Sequence, residues 1–133
     1  ISRALLDRVD LLNFVPRIKY EEITKEKDKV DSDNMRQRVI LAREMQNYRL
    51  EGTKYKYNSE IVGKDVLRLC KLSCDGKRIL ENYYSKYSIT LRGYTKIIKV
   101  ARTIADLDGE EIIQDYHIIE AMGYRKNVFG DIL

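Results

Sequence analysis

The sequence predicts an all-α fold, a small helical bundle that follows a short strand or extended segment belonging to another unit. Beyond residue 31, apolar residues recur at the three- and four-residue spacing of amphipathic helices. Serine, threonine and aspartate stand where several of these helices would begin. One Pro and seven Gly among 133 residues leave these helical patterns largely uninterrupted.

The N-terminal segment and a charged linker precede the predicted bundle. The apolar residues of the segment are Leu5, Leu6, Val9, Leu11, Phe14 and Val15, followed directly by Pro16. This pattern is typical of a buried strand that enters a turn. Residues 20–31 mix both signs of charge with little apolar content, which indicates a solvated linker. We therefore expect three parts: residues 1–19, the linker 20–31, and a helical domain over residues 32–133.

Five helices are expected in the helical domain. They would begin, in chain order, at Ser32 or Asp33, after Gly63, and at Ser73, Thr90 and Asp115. Gly52 would end the first helix, because glycine tolerates the positive φ that a helix terminus requires. The side chains expected to face inward are Met35, Val39, Ala42, Met45, Ile79, Leu80, Tyr83, Tyr84, Tyr87, Leu91, Tyr94, Ile97, Ile98, Ala101, Ile104, Ala105, Ile118, Ile119 and Met122. Leu67 and residues 69–72 are expected to lie in the second helix.

Composition excludes several classes of protein. No apolar run approaches the roughly 20 residues that span a bilayer. Two cysteines are too few for a disulfide scaffold, and a single histidine leaves no four-ligand zinc set, so we expect a reducing, cytoplasmic setting and no metal site. The net charge of +4 permits contact with nucleic acid, although no block of like charge occurs. Because the chain begins with Ile1 and has no signal segment, we expect a piece of a longer protein.

Arg92 is the first candidate for binding chemistry. It lies in the first turn of the predicted fourth helix, where free backbone amides and the helix dipole favour anions, so its guanidinium could bind a phosphate there. Lys96 and Lys99 follow at i+4 and i+7 and form one basic stripe with Arg92, opposite the apolar face. A solvated basic face is the ordinary alternative, and the spacing alone favours it.

Arg8 is the second candidate. Asp7 and Arg8 stand between Leu6 and Val9, and charged residues set into apolar sequence usually have a definite partner. An arginine presented at a subunit edge can stabilise the charge of a transferring phosphoryl group. A local ion pair with Asp7 or Asp10 explains Arg8 equally well.

Other chemistry-bearing residues are better explained as structure. Residues 54–57 interleave lysine and tyrosine as single-stranded nucleic-acid platforms do, but a tyrosine-anchored connection is the expected interpretation. Cys70 and Cys74 are expected to be buried thiols on either side of a helix break at Ser73. His117 lies near a helix start and is expected to be structural. The sequence contains no Gly-x-x-x-x-Gly-Lys-Ser/Thr loop, so these residues cannot bind ATP through a P-loop of their own.

Ordered motifs cover nearly all of the chain apart from the charged linker and the final tail. They occupy residues 5–11 (LLDRVDL), 15–17 (VPR), 20–23 (YEEI), 36–46 (RQRVILAREMQ), 58, 70–72 (CKL), 91–107 (LRGYTKIIKVARTIADL) and 117–125. This series resembles the C-terminal region of Mg-chelatase-like AAA+ ATPases, in particular their competence-related group. One departure is Val62, which stands where relatives often place a serine cap, so the helix after Gly63 is expected to begin weakly.

The resemblance implies that residues 1–19 end the ATPase core and that residues 32–133 form its helical lid. Arg8 would be the arginine finger, which reaches the ATP of the neighbouring subunit. Arg92 would be the sensor 2 residue, which contacts the ATP phosphates of its own subunit. ATP and Mg would bind between subunits of a ring, commonly a hexamer, in the longer protein. The 133 residues alone would be inactive and would bind neither ATP nor Mg stably.

The family resemblance also implies a class of substrate. Family members divide between insertion of magnesium into porphyrin and DNA work related to natural transformation, and residues 15–17 and 20–22 are more similar to the second group. The expected function is therefore the lid of a DNA-remodelling motor, with the missing N-terminal core, further copies of the subunit and DNA as partners, and no membrane. Three alternatives stay open: a nucleic-acid-binding module, a protein-interaction module, and the ATPase subunit of a metal chelatase.

Overall fold

The computed structural model describes residues 7–20 and 32–125, and within these ranges the fold is all-α, as predicted. Its helices are α1 (Ser32–Leu50), α2 (Asp65–Leu69), α3 (Cys74–Lys86), α4 (Leu91–Leu107) and α5 (Asp115–Gly123), with a 3₁₀ turn at Asn58–Glu60. The described residues form no strand, only an isolated bridge between Leu72 and Ile113. The expectations for Leu5, Leu6 and residues 21–31 lie outside the described residues, and the domain boundaries stay a prediction.

Two of the predicted helix caps form as the sequence indicates. The side chain of Ser73 accepts a hydrogen bond from the Gly76 amide at 3.0 Å at the start of α3. Thr90 does the same for the Gly93 amide at the start of α4, also at 3.0 Å. Each cap satisfies one of the amides that a helix N-terminus leaves without an intrahelical acceptor. The first helix ends at Leu50, and Gly52 follows with φ +72°, as predicted from its position.

Helix α4 is the centre of the bundle. It packs against α5, α1, the 3₁₀ turn and α2. The core that forms around it consists of Leu50, Tyr55, Ile61, Val66, Cys70, Leu80, Ile89, Ile97, Ile98, Ala101, Ile104, Ala105, Ile113, Ile118, Ala121 and Met122. None of the described helices combines the length and apolar content needed to cross a bilayer.

Five of the side chains predicted to face inward are instead exposed: Met35, Val39, Tyr84, Leu91 and Ile119. For α1 the physical reason is that residues 32–41 are all exposed, so the described bundle covers only the second half of the helix, where Ala42, Gln46 and Leu50 are buried. Met35 and Val39 lie on the same face as Ala42, but before the part of the helix that is covered. α2 is also shorter than predicted, because it ends at Leu69 and Cys70 already has a non-helical backbone.

The predicted buried strand is wrong for the described part of the N-terminal segment. Residues 11–19 form no regular secondary structure, and the side chains of Val9, Leu11, Phe14 and Val15 are exposed. The described residues offer no neighbouring strand with which this segment could pair. Residues 7–12 instead lie across α4 and α5, and we call these six residues the strap.

Candidate functional site

The first turn of α4 presents Arg92 to solvent. Its side chain is exposed and makes no ion pair or hydrogen bond with any described residue. Thr90 satisfies the Gly93 amide, whereas the Leu91 and Arg92 amides, at the first two positions of the helix, find no acceptor among the described residues. Free amides, the positive end of the helix dipole and an unpaired guanidinium together favour an anion at this position.

Gly93 allows the side chains of Ile89 and Arg125 to pack closely against α4 behind Arg92. A Cβ atom at this position would lie 2.8 Å from the Ile89 Cγ2 atom and 3.7 Å from Nη2 of Arg125. The Arg125 side chain is only 2% exposed, and burial lowers the pKa of its guanidinium while the Asp7 carboxylate opposes that shift. The first turn of α4 therefore has one arginine facing solvent and another packed behind it.

The predicted basic stripe of Arg92, Lys96 and Lys99 is wrong, because Lys96 is covered. Lys96 is 8% exposed, and its Nζ lies 2.8 Å from Asp10 Oδ1 and donates to the Arg8 carbonyl at 2.5 Å. Lys99 donates to the Ser59 carbonyl at 2.8 Å. The stripe is therefore interrupted on the surface, because Arg92 faces solvent whereas the strap lies over Lys96.

The strap is also bound to the end of α5. The Leu12 amide donates to the Tyr124 carbonyl at 2.7 Å. Arg125 donates from Nη1 to the Val9 carbonyl at 3.1 Å, and its Nη2 lies 3.5 Å from Asp7 Oδ1. The same Asp7 oxygen accepts from the Thr90 hydroxyl at 3.2 Å. The strap is thus fixed at both of its ends and in the middle.

These contacts exclude one of the two interpretations of Arg8. The acidic neighbours that could have paired with it are engaged elsewhere, Asp7 with Arg125 and Asp10 with Lys96. The Arg8 side chain is exposed and has no ion-pair partner among residues 7–20 and 32–125. The local ion pair is therefore wrong, and the Arg8 guanidinium is available to a group outside the described residues. The Arg8 carbonyl is bound by Lys96, which lies one helical turn after Arg92 on α4.

A buried polar network behind α4 was missed by the sequence analysis. Asp106 accepts two hydrogen bonds from Arg49, at 2.5 and 2.8 Å, one from Arg102 Nε at 3.1 Å and one from Asn58 Nδ2 at 2.9 Å. Arg102 is fully buried and also donates to the carbonyls of Glu110 and Glu111. The i, i+4 spacing of Arg102 and Asp106 was the available signal. The network joins α1, the 3₁₀ turn, α4 and the loop before α5, and so fixes the orientation of α4.

The weaker candidates are mostly structural. Within residues 54–57, Tyr55 is buried and its hydroxyl donates to Asp65 at 2.9 Å, a bond that lowers the pKa of that carboxyl, so the tyrosine-anchored connection is confirmed. His117 is fully buried and its Nδ1 accepts from the Gln114 amide at 2.9 Å, which agrees with a structural role. Among the described residues, no group of three or more His, Cys, Asp and Glu side chains is arranged to hold a metal ion.

The two cysteines differ in environment, which gives a prediction. Cys70 is fully buried and burial raises the pKa of its thiol to about 11, whereas Cys74 is exposed, so the expected burial of Cys74 is wrong. Only a thiolate reacts readily with iodoacetamide. At pH 8 the native chain should therefore gain one adduct, at Cys74, and a second only after denaturation, as measured by mass spectrometry. Equal rates at both thiols in the native chain would contradict this, and Cys74→Ser should gain no adduct without denaturant.

The chain matches one family model and is similar to several known proteins. Residues 29–125 match the family model described as magnesium chelatase, subunit ChlI C-terminal. The chain is 36% identical to the competence protein ComM of Haemophilus influenzae, over 96% of its own length and 25% of that relative. It is 32% identical to the uncharacterized protein YifB of Escherichia coli, over 94% of its own length and 24% of that relative. It is 28% identical to the uncharacterized protein Rv2897c of Mycobacterium tuberculosis, over 95% of its own length and 25% of that relative. The chain spans about a quarter of the length of these relatives.

Proposed function

The chain belongs to the magnesium chelatase ChlI C-terminal family, and we propose that it is the helical lid of an AAA+ ATPase in which Arg92 binds the phosphates of ATP. The observation that supports this proposal best is the exposed, unpaired guanidinium of Arg92 in the first turn of α4. A planar guanidinium can donate two parallel hydrogen bonds to phosphate oxygens. The neighbouring amides and the helix dipole favour the same negative charge.

The proposal extends to Arg8 as the arginine finger for ATP held by a neighbouring subunit. Its guanidinium is exposed and unpaired among the described residues, as that role requires. A finger acts across a subunit boundary, so the longer protein would assemble as a ring, which we propose to be a hexamer. When bound with ATP, magnesium neutralises charge on the β- and γ-phosphates. We propose that it is held by the nucleotide and by parts of the longer protein outside these 133 residues.

The proposed work of the longer protein is the remodelling of DNA. A relative that is named for competence matches 96% of this chain at 36% identity, which supports the competence-related group over the porphyrin chelatases. The alternative of a nucleic-acid-binding stripe on α4 loses its support, because Lys96 is buried against Asp10 and Lys99 is bound to the Ser59 carbonyl. DNA would therefore be contacted by surfaces other than this stripe.

Replacement of Arg92 by alanine tests the proposal. In the longer protein, Arg92→Ala should reduce kcat/KM for ATP hydrolysis by about 10- to 100-fold, because it removes charge-assisted hydrogen bonds to phosphate worth roughly 1.5–3 kcal/mol. Phosphate release measured over a range of ATP concentrations gives this ratio. The thermal unfolding midpoint of the 133-residue chain should change little, since the exposed Arg92 side chain makes no hydrogen bond or ion pair with any described residue.

A matched control is Arg78→Ala, which removes another exposed helical arginine, on α3, with only a solvent-exposed partner in Asp75. This variant should hydrolyse ATP at the rate of the unmodified protein. If Arg92→Ala also hydrolyses ATP at that rate, the proposed role of Arg92 is wrong.

A further inference from the structure

Polar contacts hold the strap along its whole length. The side chains of Val9 and Leu11 remain exposed, and a cavity of about 280 Å³ lies beside the strap, lined by Asp10, Leu11, Lys96 and Tyr124 among others. The polar contacts of the strap are those made by Lys96 and Arg125, the Thr90 hydroxyl bond to Asp7, and the bond of the Leu12 amide to Tyr124. Of the side chains that bind the strap, the two that carry charge are Lys96 and Arg125.

Lys96 and Arg125 bind the strap in the same way. Each is nearly fully buried, and each donates to a backbone carbonyl and faces a carboxylate: Lys96 binds the Arg8 carbonyl and Asp10, and Arg125 binds the Val9 carbonyl and Asp7. Buried cations require such partners, because an uncompensated charge in the interior is strongly unfavourable. The two carbonyls belong to consecutive residues, so together they fix the position and direction of the backbone at Arg8.

We infer that Lys96 and Arg125 are positioning residues that clamp the strap to α4 and α5 and thereby hold Arg8 in place for its action on a neighbouring ATP. The inference deepens the proposed function and rests on it. Lys96 lies four residues after Arg92 on the same rigid helix. A displacement of α4 on binding of phosphate to Arg92 would therefore move Arg8 as well. Nucleotide binding in one subunit would then change the position of the Arg8 guanidinium at the ATP site of the neighbouring subunit.

Hydrogen exchange in the 133-residue chain tests the clamp without any nucleotide. The Leu12 amide, which donates to Tyr124, reports whether the strap is bound. Lys96→Met keeps the length of the buried side chain and removes its charge, and it should speed exchange of this amide by about 10-fold or more, because charge-assisted hydrogen bonds are lost. Asp10→Asn should speed the same exchange by a smaller factor. Since Asp10 is largely exposed, this second variant tests the clamp even if Lys96→Met fails to fold.

Lys99→Met is the matched control for this measurement. Lys99 lies one turn closer to the end of α4 and binds Ser59 rather than the strap, so its loss should leave Leu12 exchange unchanged. If neither Lys96→Met nor Asp10→Asn changes Leu12 exchange, the clamp does not exist and the inference is wrong.

Turnover in the longer protein separates this inference from the proposed function. Lys96→Met should lower kcat for ATP hydrolysis about 10-fold or more with KM unchanged, and it should have no further effect when Arg8 is already alanine, because it acts through Arg8. A full effect of Lys96→Met in the Arg8→Ala background would overturn the positioning role, and so would normal kcat together with faster Leu12 exchange. If Arg8→Ala itself leaves turnover normal, the proposed role of Arg8 fails instead, while the exchange experiment still decides whether the clamp exists.

Discussion

Arg8→Ala is expected to lower kcat for ATP hydrolysis in the assembled longer protein by about 1,000-fold, since arginine fingers supply 10³–10⁵ of the rate where they act. The structure supports a large effect because Asp7 and Asp10, the local acidic neighbours of Arg8, are paired with Arg125 and Lys96. The Arg8 side chain is exposed and makes no hydrogen bond or ion pair with any described residue. The substitution should therefore leave the lid folded, and steady-state phosphate release measures its effect directly.

Mixing two inactive variants distinguishes an action between subunits from one within a subunit. A site formed by the Arg92 of an Arg8→Ala subunit and the Arg8 of an Arg92→Ala subunit retains both guanidiniums. If equal amounts of the two variants mix randomly in a ring with head-to-tail interfaces, about a quarter of the sites would be complete, and turnover should return to about that fraction of the unmodified protein's rate. A mixture no more active than either variant alone would contradict the finger assignment. Arg17→Ala, an exposed arginine outside the strap, is the control that should keep full turnover.

Helix α4 could be predicted from sequence because its signals are local. Its cap at Thr90, its ending before Gly109 and the buried residues Ile97, Ala101 and Ala105 all follow from residues within the helix or next to it. Arg92 could be placed at the helix N-terminus for the same reason. That its side chain has no ion-pair partner among the described residues is a property of the folded chain, which the spacing of the helix does not predict.

The burial of Lys96 beneath the strap could not be predicted from residues within α4. Its carbonyl partner, Arg8, is 88 residues earlier in the chain, and helical spacing carries no information about a segment that returns to lie on a helix. The pairing of Asp7 with Arg125 spans 118 residues, so the availability of Arg8 was equally hidden. Both misjudgements concern the strap, whose apolar residues resemble a strand but lie exposed.

The exposure of Met35 and Val39 on α1 has a different reason. Both lie on the same face as Ala42, but residues 32–41 are all exposed, so the described bundle covers only the second half of the helix. Helical spacing identifies the face that packs and not how much of its length a neighbouring element covers. The polar contacts of the covered half were hidden as well: Gln46 accepts from the Asn58 amide at 2.6 Å and Arg49 binds Asp106, whereas a scale of hydrophobicity assigns such side chains to solvent.

Asp106→Ala is expected to lower the free energy of unfolding of the 133-residue chain by about 3–5 kcal/mol, because it leaves buried cations without their counter-ion. Asp106 is 2% exposed and is the shared carboxylate of Arg49 and Arg102. Arg102 is fully buried, and burial already lowers the pKa of its guanidinium against the opposing effect of Asp106. Urea unfolding followed by circular dichroism measures the loss, and the exposed Asp75→Ala should leave the midpoint almost unchanged.

A second substitution shows whether the loss arises from unpaired charge. Arg49→Met removes one of the two cations that Asp106 serves, so in the Asp106→Ala background it should cost less than it does in the unmodified chain. The difference between these two costs is the coupling of Arg49 to Asp106, expected at about 1–3 kcal/mol for a close buried pair. Additive effects of the two substitutions would mean that Arg49 and Asp106 do not stabilise each other, because Arg49 would then contribute only through its packing and its hydrogen bond to Asn58. A urea midpoint for Asp106→Ala equal to that of the unmodified chain would mean that the network does not hold α1 on α4.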